Sequence, residues 1–551
     1  MTTSIVRTSV MTAAVLSLMT MAQGAMMAAA DDLRLLEAMQ RQDREAVRTL
    51  LTEGVDVNAA RGDGATALAF ATHLDDLEAV DLLIHAGADV NAANDLAITP
   101  LMLAATNGSA AMVERLLNAN ADPNAARPTG ETALVMAART GRPDVVRLLL
   151  AVGAAADFKI GAREQTPLMW AAAEGHAPIV RLLLEVGADK EARTTSSSKT
   201  GRPRYASQKE PLAPRADGRS VIAALWPRDG NSDTGRSEGG MTPLLFAVNG
   251  GHQDAVRVLL EAGAKVDGAL PDGLTPLQLA QIRRHEVLAL FLLEHGADPD
   301  IAGPGFPPLH VAAYLSQPAI AKALIARGAD VNARMMTPHR LIEALELGSN
   351  RRPGDTGVFT NIGSTPFVTA AKHGQIEIMR TLLDAGADPF LTAEAGENAL
   401  MSAAGIGRPQ PSMVTYHAWK EADQFEAVRI GLELGLDINA KNEWGLTALH
   451  GAAYMDDASV IELLAAHGAS LNTLDWQNQT PLRVAQGHEI CCSTYHRKPL
   501  AAAALLKAGA NAAAGVLLKF AAHDFQDDAV KATFAMPESD SPGGSVSGGK
   551  Q

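Results

Sequence analysis

The stretch Thr166-Pro167-Leu168-Met169-Trp170-Ala171-Ala172-Ala173-Glu174-Gly175-His176 is the most informative part of the chain, because versions of it recur along most of the sequence. Thr suits a helix N-cap, since its hydroxyl accepts a hydrogen bond from an otherwise orphaned backbone N–H. Pro suits the first helical position, and Gly allows the left-handed conformation that ends a helix. The stretch therefore predicts a short helix whose small Ala residues let a second helix pack closely.

A second apolar pattern follows this stretch. Val180 and residues 182–184 form the apolar side of a second helix, which Gly187-Ala188-Asp189 ends. The same ending recurs at Gly87-Ala88-Asp89, Gly263-Ala264, Gly296-Ala297-Asp298, Gly328-Ala329-Asp330, Gly386-Ala387-Asp388 and Gly468-Ala469. Turn-forming pairs such as Asp63-Gly64 and Asp272-Gly273 come next. Each unit is therefore predicted to be two antiparallel helices followed by a hairpin turn, called a finger below.

The opening of the first helix returns at a nearly constant spacing. Thr66, Thr99 and Thr132 are 33 residues apart, and Thr166 follows 34 residues later. A fixed period of this length indicates a solenoid, in which neighbouring units share one continuous core. Eleven units carry the opening, near Thr66, Thr99, Thr132, Thr166, Thr242, Thr275, Pro307, Thr365, Asn398, Thr447 and Thr480. A twelfth, without it, is predicted at residues 32–58 as an N-terminal cap.

A 33-residue period with Thr-Pro-Leu opening one helix and Leu-Leu-x-x-Gly-Ala closing the next resembles the ankyrin repeat. The resemblance covers most of residues 31–511. It implies an all-α ankyrin-repeat solenoid of about 11–12 helix-turn-helix units with finger hairpins, interrupted by loop insertions. Two openings depart from the family pattern, because Pro307 and Asn398 replace the Thr. The His of a complete Thr-Pro-Leu-His remains only at His310 and His450.

Breaks in the period and shifts in composition divide the chain. We expect repeats at 31–192 (the N-terminal cap plus four units), 241–333 and 363–511, with insertions at 193–240 and 334–362 and, inside the third array, near 408–421 and 488–499. A C-terminal cap at 512–535 and a disordered tail at 536–551 follow.

The insertion at 193–240 carries nine Lys/Arg against five Asp/Glu, and its composition predicts disorder. It is either a tolerated loop or a docking segment. This insertion and the one at 334–362 both replace a finger, so we expect them on the same edge of the solenoid.

The N-terminus is typical of a secretory signal. Arg7 precedes a short apolar run at residues 10–22, and Ala28-Ala29-Ala30 is a plausible cleavage site. We therefore expect residues 1–30 to be a signal peptide and the protein to be exported, periplasmic or secreted, in the manner of bacterial proteins. The alternative is an uncleaved anchor. No later segment is apolar enough to cross a bilayer, and we expect the mature chain to be a monomer.

Composition and motifs argue against several functions. The formal net charge of −15 argues against a nucleic-acid binder, which needs a basic face. Nucleotide, nucleophile-elbow, zincin and haem motifs are all missing from the sequence, so we predict no enzyme activity and no cofactor. The cluster of His488, Cys491, Cys492 and His496 could bind a metal or respond to oxidants. Adjacent cysteines rarely both reach one metal, so two thiols or a vicinal disulfide are favoured and no metal is predicted.

Four aromatic residues are candidates for binding a protein partner. Trp444 and Trp476 lie on consecutive fingers, and Tyr314 and Tyr454 directly follow the Ala pair of their first helices. The ankyrin resemblance implies that fingers and first helices line a concave binding face. Packing between fingers would explain the two tryptophans equally well, and a purely structural role is the alternative for the two tyrosines. The sequence thus favours a non-enzymatic scaffold for an unknown protein. The alternatives are a metal- or redox-responsive protein and a secreted effector that acts on host proteins.

Overall fold

The computed structural model describes residues 33–195, 239–303, 305–336, 362–407, 421–487 and 498–515. They contain 24 helices arranged as consecutive pairs. The first helices are α1 (33–40), α3 (Ala67–His73), α5 (Pro100–Asn107), α7 (Ala133–Thr140), α9 (Pro167–Ala173), α11 (Pro243–Gly250), α13 (Pro276–Ile282), α15 (Pro308–Leu315), α17 (Pro366–Lys372), α19 (Ala399–Ala403), α21 (Ala448–Met455) and α23 (Pro481–Ala485). The second helices are α2 (Arg44–Glu53), α4 (Leu77–His85), α6 (Ala110–Asn118), α8 (Pro143–Ala151), α10 (Ala177–Glu185), α12 (Gln253–Glu261), α14 (Glu286–Glu294), α16 (Pro318–Ala326), α18 (Ile376–Asp384), α20 (Glu421–Glu433), α22 (Ala458–Ala466) and α24 (Pro499–Lys507).

The predicted openings all lie at the start of first helices. In every case except Pro307 and Thr447, the side chain at this position accepts a hydrogen bond from the backbone N–H three residues later. Asn398 caps its helix in the same way as the Thr residues, since its Oδ1 accepts from Met401 N at 2.9 Å. Pro307 has no side-chain acceptor, and the Thr447 hydroxyl bonds His450 Nδ1 instead. The helix starts predicted from these openings are therefore confirmed.

The core runs from unit to unit. Leu116, Leu149 and Leu183 occupy the same place on successive second helices and are completely buried, as is the pair Ala137-Ala138 on a first helix. The stacking continues across the insertions, because α9 contacts α11 and α15 contacts α17. In the described segments the only β-pairing consists of isolated bridges at three finger bases. The all-α ankyrin-type solenoid predicted from sequence is therefore the observed fold.

Two of the insertions leave the array from the base of a finger. Thr194 exchanges backbone hydrogen bonds with residues 240–241, at 2.7 and 3.1 Å. Met335 does the same with residues 363–364, at 2.7 and 3.0 Å. The two insertions thus replace equivalent finger tips.

One arginine secures each of these two finger bases. Arg193 and Arg334 occupy equivalent positions, six residues after the Gly that ends the preceding helix. Their guanidinium groups donate to backbone carbonyls of the next finger, Ala269 O and Thr392 O, both at 2.8 Å. Each insertion is therefore flanked by a finger base that stays tied to its neighbour.

Several expectations fall on residues outside those described: the signal peptide at 1–30, the interiors of the four insertions, nearly all of the cap at 512–535 and the tail at 536–551. None of the helices in the described part of the chain combines the length and apolar character needed to span a membrane.

Candidate protein-binding surface

The two tryptophans lie side by side on adjacent fingers. Trp476 N donates to Trp444 O at 2.8 Å, which ties one finger tip to the next. Each tip is shaped by an acceptor side chain: Asn442 Oδ1 accepts from Trp444 N at 3.1 Å, and Asp475 Oδ1 accepts from Gln477 N at 2.8 Å. Burial raises the pKa of the Asp475 carboxyl, while the backbone N–H groups of Gln479 and Gln477, which donate to it, oppose the rise. The sequence-based expectation that the two residues are neighbours agrees with this geometry.

The two tryptophans differ in exposure. Trp444 is half-buried and packs against the hydrophobic core, whereas 50 % of Trp476 is exposed. Finger-on-finger packing therefore accounts for Trp444. The same packing does not explain why half of Trp476 is exposed, so Trp476 is the stronger candidate for binding a partner.

Tyr314 does not lie where the sequence placed it. Only 8 % of Tyr314 is exposed, and its ring meets the edge of the His373 imidazole with 4.7 Å between ring centroids. The expected exposure of Tyr314 was wrong, because a residue of the next unit, beyond a long insertion, covers the ring. Tyr454 is half-buried, with Lys498 Nζ 6.0 Å from its ring centroid. Burial lowers the pKa of that Lys498 ammonium.

The second helices use many of their charges within the array. Arg44 and Asp76 are 3.0 Å apart, Lys322 and Glu377 2.6 Å, Arg380 and Glu426 2.8 Å, and Lys507 and Glu462 2.8 Å. Each pair joins the second helices of neighbouring units. Exposed ion pairs add little stability, but they leave fewer unmatched charges on this face. The face formed by the fingers is therefore the better candidate for recognition.

A buried polar side chain joins several first helices to the following unit. His310 Nε2 lies 2.8 Å from Ser364 O, and His450 Nε2 lies 3.3 Å from Gln479 O. Gln278 takes the same position on α13 and donates to Phe306 O at 2.6 Å. The family pattern picks out only the two His residues, although the Gln three residues after the cap at Thr275 is an equivalent signal in the sequence. Gln278 therefore makes the same hydrogen bond between units that His310 and His450 make elsewhere.

A buried carboxyl lies next to an amine in the ninth and tenth units. Glu397 and Lys372 are both buried, and one oxygen of Glu397 has no hydrogen-bond partner among the described residues. Burial raises the pKa of Glu397 to about 7, although the Lys372 charge and the Asn442 side chain oppose the rise. Most units carry an apolar or uncharged residue at the equivalent place, so this charge is unusual in the array.

A ladder of side chains runs along the array, four residues after the Gly (Asn120 in one unit) that follows each second helix. At this ladder position an Asn, Asp or Glu oxygen accepts from a backbone N–H of the next unit at 2.7–3.1 Å. The bonded pairs are Asn58–Asp89, Asn91–Asp122, Asn124–Ala155, Asp157–Asp189, Glu191–Lys265, Asp267–Asp298, Asp300–Asp330, Asn332–Asp388, Asn439–Ser470 and Asn472–Asn511. Only Phe390 interrupts the series within the described residues. Aligning the units in the sequence shows that Asn or Asp recurs at this position, but not which backbone group each side chain bonds.

The ladder predicts a stability effect at Asn439. Its Oδ1 accepts from Ser470 N at 2.7 Å and its Nδ2 donates to Gly468 O at 3.4 Å. We expect Asn439→Ala to lower the free energy of unfolding by about 1 kcal/mol, because two hydrogen bonds between units are lost at an exposed site. Urea denaturation followed by circular dichroism measures it. Lys441→Ala, an exposed change on the same finger, is the control, and an equal loss in both variants would contradict the role of the ladder.

The described residues contain no group of three or more His, Cys, Asp or Glu side chains that could hold a metal ion. The cluster of His488, Cys491, Cys492 and His496 lies outside the described residues. The aromatic fingers are thus the candidate site that the structure describes.

The fold and its fingers define a helical repeat protein of the kind that binds other proteins. The family model for ankyrin repeats in three copies matches residues 35–127, 101–194, 216–302, 266–335 and 415–511, and that for a single ankyrin repeat matches residues 362–393. Since these matches span more than half of the chain, it belongs to the ankyrin-repeat family. Proteins of this family generally mediate protein–protein interaction and are typically non-enzymatic.

Similar proteins come from diverse organisms. The ankyrin repeat domain-containing protein SAT10 of Stachybotrys chartarum is 28 % identical over 33 % of this chain and 11 % of its own length. Alpha-latroinsectotoxin-Lt1a of Latrodectus tredecimguttatus is 31 % identical over 27 % of this chain and 9 % of its own. The probable 26S proteasome regulatory subunit p28 of Saccharomyces cerevisiae is 30 % identical over 23 % of this chain and 50 % of its own. The chain thus covers at most half of each of these relatives.

Proposed function

We propose that the protein is a non-enzymatic scaffold that binds another protein across its fingers and the exposed side of its first helices. Trp476 carries this proposal, because half of a large aromatic side chain is exposed on a tip held by hydrogen bonds. Tryptophan is enriched among the residues that dominate protein interfaces, where a rigid ring fills a pocket of the partner.

The neighbouring fingers support the same face. Leu474 is exposed beside Trp476 on the same finger, and Leu96 and Met336 are exposed on other fingers or at their bases. A stable interface buries roughly 1,600 Å² in total, an area that a few consecutive units can supply. The second helices form the opposite face, and their charges are partly used in ion pairs with one another, which supports the fingers as the binding face.

The setting of this interaction is also a proposal. The N-terminal sequence, with Arg7, the apolar run and the Ala triplet, supports an exported protein of bacterial type that works in the periplasm or outside the cell. The net charge of −15 supports a protein rather than a nucleic-acid partner. We propose that the array acts as a monomer, since its sequence predicts a capping segment at each end, at residues 32–58 and 512–535.

The test compares capture of proteins by three forms of the chain from a periplasmic extract. We expect Trp476→Ala to recover the partner at least about tenfold less well than the wild type, the loss typical of an interface tryptophan. Val287→Ala, which changes an exposed apolar side chain on α14, is the matched control and should recover it normally. Equal recovery of every protein by all three forms would reject the finger site, and recovery of nothing by any form would reject the scaffold.

A further inference from the structure

Phe390 stands at the one break in the ladder of the described residues, between the ninth and tenth units. Its backbone N–H still bonds Asp388 Oδ1 at 2.9 Å, as the residues at this position do in other units. The turn is therefore preserved, and only the side chain that bridges to the next unit has changed. A local distortion of the loop does not explain the Phe.

The aromatic ring brings no visible benefit to the fold. Its exposed fraction, 60 %, exceeds that of Trp476. An exposed ring leaves apolar surface in water, and the position also gives up a hydrogen bond that the other junctions make. A residue that is unfavourable on both counts is typical of a site where function, rather than stability, determines the side chain.

The break also leaves a backbone donor available. At the other junctions the ladder side chain accepts from the N–H two residues after the Gly that ends the second helix. The equivalent group here is Asp437 N–H, which has no acceptor among the described residues. An exposed apolar ring and an unused donor therefore lie together at one junction.

The charges around this junction are mainly acidic. Asp384, Asp388 and Asp437 are exposed on the two units, and Glu394 is exposed on the following finger. Lys441 on the next finger and Arg334 on the preceding one are exposed cations, and Arg334 already donates to Thr392 O. A binding segment that carries Lys or Arg would therefore be favoured over an acidic one.

We propose that this junction binds a segment of a second protein through an apolar side chain flanked by Lys or Arg. The apolar side chain packs on Phe390, a main-chain carbonyl of the segment accepts from Asp437 N–H, and its basic residues face the carboxylates. This proposal rests on the proposed protein-binding function, but it names a surface separate from the Trp444 and Trp476 tips.

The experiment uses random linear dodecapeptides displayed on phage and selected on the immobilised full chain. We expect the selected peptides to combine an apolar centre with basic flanks. Fluorescein-labelled copies are then titrated by fluorescence anisotropy, and Phe390→Asn and Phe390→Ala should each weaken binding about tenfold or more. Trp476→Ala should bind the peptides normally, so a failure of the finger site is distinguished from a failure here.

Urea denaturation of the Phe390 variants shows whether weaker peptide binding comes from the lost ring or from a destabilised fold. Phe390→Asn restores the ladder side chain, so its midpoint in urea should rise above that of the wild type, whereas Phe390→Ala should give no such rise. Peptides that bind Phe390→Asn as tightly as the wild type, or a selected set that is acidic, would overturn the proposal. Binding that appears only after deletion of residues 196–238 would also overturn it, since the chain's own basic insertion would then be the occupant.

Discussion

Replacing His310 and His450 by Gln is expected to make the protein markedly more resistant to acid. Burial lowers the pKa of both imidazoles from 6.5 to about 4, because the charged form loses its hydration. The neutral form is thus favoured in the folded chain, and the stability it contributes is present above pH 6.5 and lost as the pH falls towards 4. Each residue accounts for a loss of up to about 3 kcal/mol over that window.

Glutamine is the matched replacement because the protein already uses it. Gln278 makes the equivalent hydrogen bond to Phe306 O and cannot be protonated in this range. Urea denaturation of wild type and His310→Gln/His450→Gln at pH 7 and pH 4 measures the effect, with the exposed His467→Gln as control. Between pH 7 and pH 4 the free energy of unfolding should fall by several kcal/mol less in the double variant than in the wild type. An identical loss would show that these imidazoles are not the acid-sensitive groups.

Glu397→Gln is expected to stabilise the protein at alkaline pH. The folded-state pKa of about 7 lies above the ordinary value of 4.5 for this carboxyl, so the fold favours the protonated acid. The stability that protonated Glu397 contributes is fully present below pH 4.5. It is lost as the pH rises through 7, which lowers the free energy of unfolding by up to about 3 kcal/mol. Gln imitates the protonated acid and removes this cost.

The comparison is made at pH 5 and pH 8, again by urea denaturation. At pH 5 the variant should be close to the wild type, because Glu397 is then mostly protonated. At pH 8 it should be more stable by about 2–3 kcal/mol. Glu394→Gln, on the same finger but exposed, should match the wild type at both pH values. A variant that is less stable than the wild type at pH 8 would mean that ionised Glu397 is needed by Lys372.

The fold could be derived from the sequence because its signals are local and repeated. Thr or Asn at a helix start, Pro after it and Gly at the end each act within one turn, so a unit with a single departure, such as Pro307, was still identified in register. Gln278 escaped recognition because its role depends on a carbonyl 28 residues away, at Phe306. The pattern of one unit does not show which side chain reaches the next.

The binding residues were harder to derive, since exposure depends on contacts between units. Tyr314 was expected on the surface from its position after the Ala pair, but His373 of the following unit covers it. Trp444 and Trp476 were placed correctly on neighbouring fingers, because finger positions follow from the period. Phe390 was overlooked for a different reason: it is conspicuous only when the hydrogen bonds of the other junctions define what the position normally does.

Hydrogen–deuterium exchange of the full chain, with and without the captured partner, tests the central claim that fingers bind another protein. We predict that the partner slows exchange in the finger tips at residues 442–446 and 474–478 and leaves α14 and α16 unchanged. Slowed exchange confined to the second helices, with the finger tips exchanging as in the free chain, would contradict the account.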